Sequence, residues 1–178
     1  VTYLGTANGS AIDSLFTWTQ NDGTTLFNYR ASGGIVYYST QGTGVWTISG
    51  NGTMTASAPV FSAVSENTLF ICDGTAATRH STNGTSFTNT TSAPIARMMN
   101  EYQNRMYAIG TASTFFWSNA GTPTNWTDDS SSINIPGPGR LHTLMKINDR
   151  LVTGKNSGVQ HRWDGFQLVD MATKLAPT

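Results

Sequence analysis

Few side chains in this chain of 178 residues are suited to acid–base or metal chemistry. The histidines are His80, His142 and His161. A pair of carboxylates that hydrolyses a glycoside stands about 5–10 Å apart with one pKa raised. Among the acids only Asp128 and Asp129 are adjacent, and neighbours on a loop usually point apart. They read as solvated turn residues, with ligand or ion contact as the alternative. Cys72 is the single cysteine, which excludes an internal disulfide and a cysteine zinc cluster and leaves a buried thiol as the reading. The residues therefore predict no catalytic centre, no metal site and no cofactor.

Aromatics offer a different chemistry, since pyranose rings stack on tryptophan and hydrogen-bond to Asn, Asp and Thr. Trp18, Trp46, Trp117, Trp126 and Trp163 are the candidates. Trp46 and Trp126 hold a repeated position described below, which favours packing. Trp163, within Arg162-Trp163-Asp164-Gly165, is less constrained. Arg162, Trp163 and Asp164, with Asp128 and Asp129, are thus the expected ligand or partner contacts. Asn-x-Ser/Thr sequons at Asn8, Asn51, Asn83, Asn89 and Asn125 point to exposed loops.

Ten basic residues balance ten acidic ones, so no electrostatic footprint for nucleic acid or an anionic membrane is visible and sequence-specific DNA reading is not expected. No apolar run approaches the roughly 20 residues needed to cross a bilayer as a helix. The opening VTYLGTANGS has neither the basic nor the apolar region of a secretory signal. With 18 glycines, 11% charged residues and much Thr, Ser and Asn, the composition is that of a β-rich, turn-rich domain.

The elements that position these side chains emerge from self-similarity. Thr25-Leu26-Phe27, Thr68-Leu69-Phe70, Arg105-Met106-Tyr107 and Arg150-Leu151-Val152 recur at steps of 43, 37 and 45 residues. A second landmark, Ser39, Ser81, Ser118 and Arg162, keeps nearly the same steps. This alignment places Tyr38, His80, Trp117 and His161 at one position, which reads as packing between units rather than metal binding. A glycine follows each second landmark, at Gly42, Gly84, Gly121 and Gly165, where a tight reversal favours a residue without Cβ. An aromatic then opens a fourth strand: Trp46, Phe87, Trp126 and Phe166.

First strands are expected over Ile12–Gln20, Val60–Ser65, Ile95–Tyr102 and Leu141–Ile147. Turn formers Asn21-Asp22-Gly23, Glu66-Asn67, Gln103-Asn104 and Asn148-Asp149 join them to the second strands. Four antiparallel strands in about 40 residues match a propeller blade. The fold class predicted is all-β, a β-propeller or an arc of one, with blades over 9–57, 58–92, 93–136 and 137–175. A β-sandwich also has short, evenly spaced strands but leaves the landmarks unexplained. Val1–Thr6, within residues 1–8, reads as a strand or linker from a preceding unit, with ring closure on the last blade as the alternative, and Leu175-Ala176-Pro177-Thr178 reads as the opening of a fifth unit. The expectation is part of a longer propeller.

YSTQGTGVW and HSTNGTSF resemble the Asp-box turn of sialidase propellers, Ser-x-Asp-x-Gly-x-Thr-Trp. Gln41 and Asn83 stand at the Asp position, and the glycine comes one place early. That supports a hairpin in a blade and not sialidase chemistry.

From Pro94 to Met171 a second resemblance is carried by Asn104-Arg105-Met106-Tyr107, by Trp117-Ser118 leading into Gly121-Thr122-Pro123-Thr124-Asn125-Trp126, and by Asn148-Asp149-Arg150-Leu151-Val152 beyond a Pro-Gly-Pro-Gly connector. In these features the chain resembles the β-propeller structural proteins of tailed-bacteriophage tails. The family's Tyr-Ser-Asp triplet has Asn119 here, and the fourth unit lacks the Ser-Gly ending. The resemblance implies a virion structural protein without enzymatic activity, a tail nozzle or hub assembled in the host cytoplasm as a ring around the DNA exit channel. Its partners would be other tail proteins. The alternative is a lectin-like propeller that binds a host-surface glycan.

Overall fold

The computed structural model describes residues 9–128, 131–163 and 168–171. Among these there is no helix, and hence none long and apolar enough to cross a membrane. The strands form four antiparallel sheets. Blade 1 holds β1 (Ile12–Thr19), β2 (Leu26–Ser32), β3 (Ile35–Thr40) and β4 (Thr47–Thr53). Blade 2 holds β5 (Phe61–Ser65), β6 (Thr68–Cys72), β7 (Arg79–Ser81) and β8 (Thr88–Asn89). Blade 3 holds β9 (Met98–Tyr102), β10 (Arg105–Ile109), β11 (Thr114–Trp117) and β12 (Ser131–Asn134). Blade 4 holds β13 (Leu141–Ile147), β14 (Arg150–Lys155), β15 (Gln160–Trp163) and β16 (Leu168–Met171).

In every sheet the strands lie side by side in chain order, which is the up-down-up-down blade that short hairpins dictate. Contacts run from β1 to β5, from β5 to β9 and from β9 to β13. The first strands therefore gather along one axis and the fourth strands lie outermost. The turns behave as their residues require. Gly23, Glu66, Gln103, Asn104 and Asn148 all take positive φ between the first and second strands, and Gly42, Gly84 and Gly121 do so between the third and fourth.

Some boundaries differ from expectation. β9 starts at Met98 rather than Ile95, because the Ala96 carbonyl accepts from Gly74 N–H of blade 2 at 2.8 Å and Pro94 brings no donor. β1 ends at Thr19, where Gln20 N–H closes the hairpin on Thr25 O at 2.9 Å. Trp46 and Phe87 sit just ahead of the fourth strands, and Trp126 precedes β12 by five residues.

A corrected register matters more. His80 pairs with Phe70 and Trp117 with Tyr107, whereas the partner of Val152, the matching residue of β14, is Arg162. His161 pairs with Thr153, so His80 and His161 are not equivalent. They lie on opposite faces of their blades, since a shift of one residue exchanges the two sides of a strand.

Both faces of the inner blades are apolar, and each is covered by a neighbour. Trp18, Phe27, Tyr29 and Val36 of blade 1 pack with Leu69, Ile71 and Phe87 of blade 2. The opposite face of blade 2, with Phe70 and Cys72, meets Met99, Met106, Ala108 and Trp126 of blade 3. Tyr102, Tyr107, Ile109 and Phe115 of blade 3 then meet Leu141, Leu144, Leu151 and Trp163 of blade 4. The strand landmarks follow this alternation: Leu69, Met106 and Leu151 face the preceding blade, while Phe27, Phe70 and Tyr107 face the following one.

The turn between β7 and β8 reaches into the seam with blade 1. Tyr29 Oη donates to Gly84 O at 2.9 Å, Gly50 N–H to Thr85 O at 3.0 Å, and Phe87 N–H to Gly50 O at 2.7 Å. A Cβ on Gly84 would overlap the Phe27 ring, whereas one on Gly121 would meet open space. Both glycines have positive φ, so each loses about 1–2 kcal/mol on substitution by alanine from backbone conformation alone. Gly84→Ala is expected to cost a further ~1–3 kcal/mol from overpacking, so urea denaturation should rank it well below Gly121→Ala in stability.

Candidate functional site

Trp163 ends β15 and points into the seam between blades 3 and 4. Its Nε1–H donates to Tyr107 Oη at 3.0 Å. Its ring lies 5.1 Å from Trp117, 5.5 Å from Phe115 and 6.0 Å from Tyr107 between centroids. Only 4% of it is exposed. Trp163 is thus a core residue and not a platform on which a sugar could stack. The cause is the register just described: pairing with Leu151 puts it on the buried face. Burial pushes the Tyr107 phenol up, partly offset by the bond from Trp163.

Arg162 takes the other face and lines a shallow cavity with Ile147, Asn148, Asp149, Arg150 and Val152. Asp128 is an exposed turn residue. It accepts from Asn125 Nδ2 at 2.8 Å and from Asn119 Nδ2 at 3.4 Å. Asp129 and Asp164 lie outside the described residues, as do Val1–Thr6, Gly165, Phe166 and Leu175–Thr178. The expected set is therefore divided between a turn of blade 3 and a strand of blade 4.

The polar turns hold themselves together. Asn83 Oδ1 accepts from Thr85 N–H and Ser86 N–H, each at 3.0 Å, and Ser81 Oγ accepts from Gly84 N–H at 3.0 Å. This is the geometry expected of an Asp-box-like turn, with the amide oxygen of asparagine in the carboxylate's place. Asn125 does the same with Thr127 N–H at 3.0 Å. Asp22 accepts from Thr25 Oγ1, Thr25 N–H and Thr24 N–H, bonds that lower its pKa. Burial pushes the Asp73 carboxyl up, but N–H donors from Thr55, Thr75 and Ala76 outweigh it and hold the pKa below the ordinary value. Depressed carboxylates suit turn anchors, whereas a general acid needs the opposite shift.

His80 packs on Phe70 with centroids 5.9 Å apart, and its Nδ1 lies 3.0 Å from Thr90 Oγ1. Burial lowers its pKa. Among the described residues no cluster of His, Cys, Asp or Glu could hold a metal ion. Cys72 is buried and free, and desolvation pushes its thiol up.

Lys155 is a residue that sequence reasoning missed. It is buried, and its Nζ donates to the carbonyls of Ile135, Pro136 and Gly137 at 2.8, 2.9 and 2.7 Å. The ammonium thereby closes the connector between blades 3 and 4. Lys155 ends β14, in a chain with only Lys146, Lys155 and Lys174, and its partners lie 18 to 20 residues away in sequence.

Other concave surfaces include two with aromatic linings. One, about 320 Å³, is lined by Phe116, Trp117 and Trp126 with Ser92, Ser131 and Ser132. The other, about 560 Å³, lies on the outer face of blade 1 and is lined mainly by Leu15, Thr17, Asn28, Ser39, Gly42 and Trp46. There the Arg30 guanidinium sits 4.7 Å from the Tyr37 ring and 5.0 Å from the Trp46 ring.

Four consecutive antiparallel blades with their first strands along one axis define a β-propeller architecture. The chain belongs to the family described as the DUF6242 beta propeller domain, whose model matches residues 8–152. Solved structures agree on the fold. The computationally designed Ika8 protein superposes with a TM-score of 0.63 at 16% identity over 93% of this chain and 51% of its own. YCF48 from Cyanidioschyzon merolae gives 0.60 at 9% identity over 90% of this chain and 56% of its own. Raptor from Chaetomium thermophilum gives 0.62 at 9% identity over 94% of this chain and 17% of its own. The chain thus spans about half the length of Ika8 and YCF48. No curated protein matches the sequence.

The geometry yields three measurements. Trp163→Ala is expected to cost about 3–5 kcal/mol in denaturant unfolding, as a fully packed core tryptophan does, and a double-mutant cycle with Tyr107→Phe should reveal coupling. Cys72 should react with a thiol reagent only on unfolding, at the global unfolding rate or equilibrium. Because the folded pKa of Asp73 is depressed, its contribution to stability is present above the unfolded value of about 3.9 and is lost as pH falls through the folded value. The stability gap between wild type and Asp73→Asn should accordingly narrow below about pH 4.

Proposed function

We propose that the chain is a non-enzymatic structural module of a tailed-phage virion, a nozzle or hub propeller assembled with other tail proteins around the DNA exit channel. The observation that carries this reading is the set of strand and turn motifs from Asn104 to Trp126 and from Asn148 to Val152, which resemble those of phage tail propellers. Support also comes from what these motifs do here. The turn from Gly121 to Trp126 delivers Trp126 into the seam between blades 2 and 3, and Asn148 takes the positive φ of the β13–β14 hairpin. On this reading they serve packing, and Asp22 and Asp73 are committed to turn hydrogen bonds. Polar, weakly charged turns at the blade edges suit wet contacts between subunits.

A second reading, glycan binding, is favoured by the cleft lined by Phe116, Trp117 and Trp126 with Ser92, Ser131 and Ser132. Mass spectrometry of purified particles from a phage encoding the chain tests the first reading. Recovery in fixed stoichiometry with portal or tube proteins is expected, and absence from particles would overturn it. Saturable binding on a glycan array, lost in a Phe116→Ala variant that keeps its circular dichroism, would favour the second.

A further inference from the structure

The seam between blades 2 and 3 is open toward the outside. The outermost strand of blade 2, β8, holds only Thr88–Asn89, whereas that of blade 3, β12, holds Ser131–Asn134, so blade 2 has less strand with which to cover its neighbour's outer half. One cavity of about 320 Å³ lies beside β12, and another of about 340 Å³ beside the turn from β10 to β11. Pro94 and Phe116 line both, so the two are ends of one groove that passes the Phe116 ring. That ring rests against Gly110, where an added Cβ would stand 3.3 Å from it. Both blades that bound the groove are present in this chain, and its extent is that of a small-ligand site.

The two ends differ in chemistry. Ser92, Ser131 and Ser132 line the first together with Trp126, whereas the second is more apolar, with Ile95 and Ala112 beside Pro94 and Phe116. No charged side chain lines either end, which suits a neutral ligand. Trp126 is only 6% exposed, and its Nε1–H has no acceptor among the described residues. The Trp163 indole in the next seam, by contrast, donates to Tyr107 Oη at 3.0 Å. Trp18 Nε1 also lacks an acceptor but lines neither end of the groove. A buried donor left unpaired is costly and uncommon, and a carbonyl oxygen on a ligand would satisfy it. An acetamido sugar carries each group the groove calls for: ring hydroxyls for the serines, a carbonyl oxygen to accept from Trp126 Nε1–H, and a methyl group for the apolar end. A plain hexose has neither the carbonyl nor the methyl group. We infer that the groove between blades 2 and 3 binds a neutral N-acetylated hexosamine unit of a glycan. The inference rests on the glycan reading above and specifies the class of sugar.

Calorimetry with the full 178-residue chain tests it, using oligomers of N-acetylglucosamine and N-acetylgalactosamine against the matching oligomers of glucose and galactose. The acetylated sugars are expected to bind at least about tenfold more tightly than their parents. Trp126→Phe, which keeps a ring but removes the N–H, should lose that preference while its circular dichroism confirms that it folds. In the wild-type chain the Nε1–H resonance of Trp126 should move on adding the acetylated sugar and stay in place on adding the parent. Equal binding of acetylated and parent sugars overturns the inference and leaves the glycan reading standing. Acetyl-dependent binding that leaves the Trp126 resonance unmoved puts the site elsewhere and overturns it as well. Absence of binding to every sugar on a glycan array overturns both the inference and the reading it rests on.

Discussion

The structure rests on the burial of two apolar faces per sheet. A four-stranded antiparallel sheet with one wet face can stand against a single partner, but blades 2 and 3 have no wet face among their inner strands. β6 is buried at every position from Thr68 to Cys72. Such a sheet requires a neighbour on each side, and the neighbours require theirs in turn. The three hydrophobic clusters follow directly, each assembled from two consecutive blades and none confined to one.

Polar residues serve this arrangement by setting angles. The third strands of blades 2 and 3 reverse sharply and still deliver a bulky ring, Phe87 or Trp126, toward the preceding blade. Asn83 and Asn125 hold these reversals through side-chain acceptors, and Lys155 gathers three carbonyls that the Pro-Gly connector leaves without strand partners. Neutral amides and hydroxyls do most of this work, which is why a chain with little charge can carry so many ordered turns.

Much of this was legible in the sequence, and the reason is physical. Reversals constrain residue type strongly, so Gly42, Gly84 and Gly121 and the turn pairs before the second strands marked the blades and their number. Boundaries were clear where hairpins are tight, as at Leu141–Ile147. What failed was the side on which a residue falls. In blade 4 the third strand is displaced by one residue relative to the spacing of the landmarks, so the face of Trp163 was misassigned and a core tryptophan was read as a surface one. Spacing counts residues, but a strand alternates, and an error of one is an error of face. Lys155 escaped because its role is set by carbonyls 18 to 20 residues away, and nothing local announces such a contact.

The division of the interior into clusters shared by successive blades bears on how such a gene changes. A domain with one central core must repack as a whole when a segment is added. Here the duplication of about 40 residues brings both faces of a new blade together with the turn that anchors it, and it disturbs only the seam into which it is placed. The same economy lets individual blades drift, as Val152 has from the aromatic of its three counterparts, because each substitution has to satisfy one neighbour and not the entire fold.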